Sequence, residues 1–95
     1  MEDLELVLKA IKKCPGLYLG EKSIILLKAY IDGFIEGRKE KEIRFQQKFQ
    51  PYIEKIYPSK GAYSWAKIIL FNSHSEDEAF DKFYELLDDF FEKEK

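Results

Sequence analysis

Only one stretch of this chain, AYSWAKIILF at 62–71, has the density of β-branched and aromatic residues that suits a buried strand, and no second run of that kind exists to pair with it. A lone strand leaves its backbone donors and acceptors without a ladder, so this segment is expected to be a helix with the rest of the chain. Everything else repeats at three and four residues. Leu4, Val7, Leu8 and Ile11 follow an acidic start and predict an amphipathic helix over about 3–13, which Pro15 and Gly16 stop. Ser23 is placed to cap a second helix carrying Ile24, Leu27, Tyr30, Ile31 and Phe34. Ile25, Leu26 and Ile35 widen that stripe, predicting a central helix that fades near Gly37.

Phe49, Tyr52, Ile53, Ile56 and Tyr57 predict a third helix over about 49–57, with Pro51 in its first turn, where a missing N–H costs least. Pro58 and Gly61 end it. The last helix is the clearest: Ser75 as N-cap, Glu78 three residues on to complete a capping box, then Phe80, Phe83, Tyr84, Leu87, Phe90 and Phe91 on one side. The expected fold is therefore all-α: one compact domain over 1–95, of about five helices in an irregular or orthogonal bundle. Residues 38–47 are the one candidate for a mobile connection.

At 95 residues the chain has an unfavourable surface-to-volume ratio, and its eight Phe and six Tyr supply large buried areas from few positions. Trp65 is expected in the core with a hydrogen-bond partner for its indole N–H. Charged residues reach 36%, well above the usual quarter, so the surface is strongly ionic. The longest apolar runs, such as 24–27 and 68–71, are far short of the roughly 18 residues a membrane span needs. One cysteine allows no internal disulfide, and no basic start leads into an apolar run, so a reducing cytoplasm is the expected location.

Catalytic material is thin. The single histidine, His74, lies in the polar turn NSHS, and the single cysteine, Cys14, is sixty positions away; no Gly-x-Ser-x-Gly elbow, zinc spacing or phosphate-binding glycine loop occurs. His74 is expected to serve the turn, and Cys14 to sit partly buried at a helix end. No enzymatic activity, cofactor or metal is expected. RKEKEIR at 38–44 is the nearest approach to a nucleic-acid patch, but Glu40 and Glu42 cancel half the charge of Arg38, Lys39, Lys41 and Arg44, so no nucleic-acid partner is expected.

The charge is unevenly spread. Residues 1–71 hold 13 Lys/Arg against 9 Asp/Glu, a net +4, whereas 72–95 hold 3 Lys against 9 Asp/Glu, a net −6. In the last helix Glu78, Asp81, Glu85, Asp88, Asp89 and Glu92 recur opposite the aromatic stripe. Like charges at that spacing each cost a few tenths of a kcal/mol, so they oppose the helix they stand on. Two readings stay open: an ordinary solvated face, or a surface that steers a basic partner.

The segments CPGLYLGEKSI, IDGF, YSWAKIILF and AFDKFYELLDDFF, taken in order, resemble small bacterial immunity proteins of interbacterial competition systems, including contact-dependent growth inhibition. The likeness covers most of the chain. It implies a cytoplasmic protein that binds a cognate protein toxin, expected to be basic because many such toxins are cationic nucleases, and blocks it by direct complex formation. The six carboxylates are then expected to contact the partner, with Tyr18 as an aromatic anchor. The alternative is a small all-α adaptor or structural protein acting by homo-oligomerisation. Leu17, Tyr18 and Leu19, between Gly16 and Gly20, either close the core beneath the first two helices or form an exposed patch.

Overall fold

The computed structural model describes residues 2–37, 43–58 and 61–94. Among the described residues six helices follow one another: α1 (Glu2–Lys13), α2 (Pro15–Leu19), α3 (Ile24–Glu36), α4 (Ile43–Ile56), α5 (Trp65–Phe71) and α6 (Glu76–Glu94). No strand occurs among the described residues, and the fold is all-α.

The starts of the helices are written in serines. Ser23 Oγ accepts from the Leu26 N–H, Ser64 Oγ from Lys67 and Ser75 Oγ from Glu78, each satisfying one donor that a helix leaves orphaned at its N-terminus. Glu78 turns back as expected, but its carboxylate accepts from the N–H of His74, one residue ahead of the cap. Ser23 does a second job: it is buried and donates 2.7 Å to Glu76 Oε1, tying the start of α3 to the start of α6.

The buried faces match the three-and-four spacing. Leu4, Leu8 and Ile11 of α1, Ile24, Leu27, Ile31 and Ile35 of α3, and Phe80, Phe83, Tyr84, Leu87 and Phe90 of α6 enter one core. Its centre is aromatic. Phe49 packs edge-on against Trp65 at 5.2 Å, Phe83 at 5.6 Å and Phe90 at 5.2 Å, while Trp65 stacks on Phe83 at 5.1 Å, so three rings from three helices share contacts. Such pairs add roughly 0.5–1.5 kcal/mol each beyond their area burial. The Trp65 indole N–H donates 2.9 Å to Gln46 Oε1, which supplies the partner that a buried tryptophan needs.

Four expectations are corrected. The linker after α1 is not a loop: Pro15 opens a short helix, suited by its fixed φ to the first helical position, and Gly16 lies within it in ordinary backbone. Only Gly20, at φ 85°, uses the freedom of glycine, and its N–H closes onto the Gly16 carbonyl. Ile25 and Leu26 are exposed rather than widening the buried face of α3. α4 starts at Ile43 rather than near 49, because Phe45 extends the buried stripe one turn back, stacked on Phe49 at 5.0 Å. Pro51 therefore stands inside the helix; it faces solvent, and so does Gln47, whose carbonyl loses its helical donor to the proline and can take water instead. Finally, Cys14 is exposed, not partly buried. Of the segment expected to be mobile, 38–42 lie outside the described residues, and 43–47 are helical.

Candidate functional site

At about 100° per residue, the six carboxylates of α6 spread over one face, with Asp81 and Asp88 at one edge and Asp89 at the other. The structure divides them accordingly. Asp81, Glu85 and Asp88 line a cleft of about 400 Å³ between α6, the end of α1 and the starts of α2 and α3; Lys12, Pro15, Lys22, Phe80 and Tyr84 complete its wall. Two lysines thus enter the acidic face from outside α6, Lys12 from the end of α1 and Lys22 from the turn before α3. Lys22 Nζ lies 2.9 Å from Asp81 Oδ1 and 5.8 Å from the Phe80 ring centre. Lys12 Nζ lies 5.6 Å over the Tyr84 ring.

The other carboxylates serve elsewhere. Glu78 is engaged in the α6 cap through the His74 N–H. Asp89 points to α4, where it accepts a hydrogen bond from the Tyr52 phenol and pairs with Lys93 at 3.3 Å. These two donors, the phenol first, hold the Asp89 carboxyl below the usual range. Burial, followed by the bond to Asp89 and its charge, pushes the Tyr52 phenol up to about 12. Glu92 is exposed near the end of α6.

Tyr18 is separate from the cleft. It sits on α2 with its ring edge-on to Tyr30 of α3 at 6.3 Å, half in solvent. The opening segment itself is split: Leu19 packs on the core, whereas Leu17 is 79% exposed. Spacing on α6 is enough to group Asp81, Glu85 and Asp88, but it gives no sign of Lys12 or Lys22. The one available hint was position: both flank the Pro-Gly element, and Lys12 lies in the last turn of α1, where a cation is favoured.

His74 is exposed and contributes its backbone to the α6 cap. Among the described residues no three His, Cys, Asp or Glu side chains gather closely enough to hold a metal ion. No described helix is long and apolar enough to cross a membrane. Comparison with protein-family models, curated proteins and solved structures gives no match to this chain.

Proposed function

We propose that this chain is an immunity-like binding protein that neutralises a cognate toxin domain by direct, non-catalytic complex formation in the cytoplasm, using the cleft side of α6. The observation that carries this reading is the convergence of Asp81, Glu85 and Asp88 on one cleft beside Phe80 and Tyr84, where charge can steer a basic partner. A partner of nuclease type, evolved to grip phosphates, has the matching positive surface. Glu78 and Asp89 support the fold rather than the interface, and Tyr18 belongs to a second contact area on α2.

The test is co-expression with the protein encoded beside it, followed by co-purification at about 0.15 M and again at about 0.5 M salt, where exposed charges are screened more strongly. A complex lost at high salt supports capture through the acidic cleft. The adaptor reading draws on a different observation, the exposure of Leu17, Tyr18, Ile25 and Leu26 on α2 and the start of α3. It is favoured if no neighbouring protein binds and the chain alone sediments as an oligomer.

A further inference from the structure

A face of carboxylates alone says little about what it binds. This one already holds two cations, and their placement is specific. Phe80 and Tyr84 stand one helical turn apart on α6, and each carries an ammonium group over its ring, Lys22 on the first at 5.8 Å and Lys12 on the second at 5.6 Å. Neither lysine is on α6; Lys12 comes from the end of α1 and Lys22 from the turn before α3. Both rings are almost completely covered. The two lysines thereby do for this chain what a partner's basic side chains would do: place positive charge over aromatic faces, beside Asp81, Glu85 and Asp88.

We propose that Lys12 and Lys22 are intramolecular stand-ins, which occupy two cation positions on the α6 face and are displaced when a partner delivers arginines into the cleft. The inference rests on the reading of this cleft as the interface for a basic protein. Arginine is the expected occupant because its planar guanidinium stacks on an aromatic face and also bridges carboxylates, which an ammonium does less well. Displacement is cheap for the fold. The Lys22 and Asp81 side chains are 36% and 64% exposed, and ion pairs at that exposure contribute little. Both lysines also have long flexible stems that can swing to solvent. While in place they neutralise part of the face, so that it discriminates against weakly basic surfaces and yields to one that presents several arginines.

The probe is a capped tri-arginine peptide titrated into the ¹⁵N-labelled full chain at low salt, with binding read from backbone amide shifts. In the wild type, shifts are expected to saturate over residues 80–88 and at Gly16. The variant Lys12→Gln with Lys22→Gln removes two repelling charges and is expected to bind the peptide tighter, by about threefold per lysine at this range in water. Glu85→Gln with Asp88→Asn is expected to lose the shifts. Equal or weaker binding by the lysine variant, with the carboxylate variant still impaired, overturns the stand-in role but leaves the acidic interface standing. Binding that ignores Glu85 and Asp88 overturns both. A tri-aspartate peptide that saturates the same residues also overturns the proposal, because the lysines are then the recognising charges. Amide dispersion of each variant, matched to the wild type, confirms that a change in binding is not a loss of fold.

Discussion

The phenol of Tyr84 donates a 2.7 Å hydrogen bond to the backbone carbonyl oxygen of Leu8, joining α6 to α1 across 76 positions of chain. The carbonyl lies in mid-helix and keeps its second lone pair for this contact. Tyr84 is 5% exposed, so its ring packs as a phenylalanine would, and the hydroxyl alone makes the bond. Tyr84→Phe is therefore expected to lower unfolding free energy by about 1 kcal/mol, near the net worth of one intramolecular hydrogen bond, since the Leu8 carbonyl retains its helical donor. Urea denaturation reads this as a lower midpoint at unchanged slope. A shift several times larger would mean that α1 undocks.

Burial raises the Tyr84 phenol well above the ordinary tyrosine range, and Tyr52 is raised to about 12. A group whose proton is held more tightly in the folded chain contributes stability below the unfolded value and loses it as pH climbs toward the folded one. Stability is thus expected to fall above about pH 10. The informative comparison is the drop in urea midpoint between about pH 8 and about pH 11 in the wild type and in Tyr52→Phe with Tyr84→Phe. The drop should shrink in the double variant. At the acid end the sign reverses: the lowered Asp89 carboxyl adds stability above the ordinary carboxylate value of 3.8 and loses it as pH falls through its folded value. Asp89→Asn should flatten that limb.

Trp65 depends on two glutamines one turn apart on α4. Gln46 Oε1 accepts the indole N–H while its Nε2 donates 2.8 Å to Asp32, and Gln50 Oε1 accepts the Trp65 backbone N–H at 2.7 Å while its Nε2 donates 2.9 Å to the Tyr63 carbonyl. Each amide thus has its oxygen and nitrogen assigned by its partners. Gln46→Leu strands a buried indole donor and should cost about 1–3 kcal/mol, more than the same change at exposed Gln47. Thermal unfolding of the two variants checks the contrast.

Those glutamines also mark how far the sequence could be read. Periodic apolar residues carried α1, α3 and α6, the last two with serine caps, because burial and orphaned N–H groups leave local signatures; α5 followed by elimination, since its strand-like run has no second run to pair with. Phe45 lies four residues before Phe49, at helical spacing, but the charged run immediately ahead of it interrupts the apolar pattern, so the spacing predicts a start near 49 where the helix begins at Ile43. A five-residue helix such as α2 completes little more than one turn, so no periodicity can announce it, and its Pro-Gly start reads as a break. Gln46 and Gln50 look like ordinary solvated positions; their roles exist only once α4 and α5 are apposed. The same holds for the cleft. The stripe of Asp81, Glu85 and Asp88 is a property of one helix, while Lys12 reaches it from α1 and Lys22 from the turn before α3, and contacts between elements have no local code.

The carboxylates of α6 should separate into two kinds when substituted one group at a time. Glu78 receives the His74 N–H and lies in the first turn, where negative charge complements the helix dipole, so Glu78→Ala is expected to cost about 1 kcal/mol and leave partner binding intact. Glu85 and Asp88 are exposed on the cleft, three residues apart, with Glu85 also four from Asp81, so that mutual repulsion offsets whatever attraction Lys12 and Lys22 provide. Glu85→Gln with Asp88→Asn should therefore hold stability within about 0.5 kcal/mol of the wild type. The same pair should slow association with a basic partner and flatten its salt dependence, because exposed interface charges act mainly on the encounter rate. Stopped-flow or surface-capture kinetics at two salt concentrations, run beside urea denaturation, measure both quantities on the same proteins. If Glu78→Ala weakens binding as much as the cleft pair does, the partner covers the start of α6 as well; if the cleft pair leaves association unchanged, the acidic face is only a solvated surface.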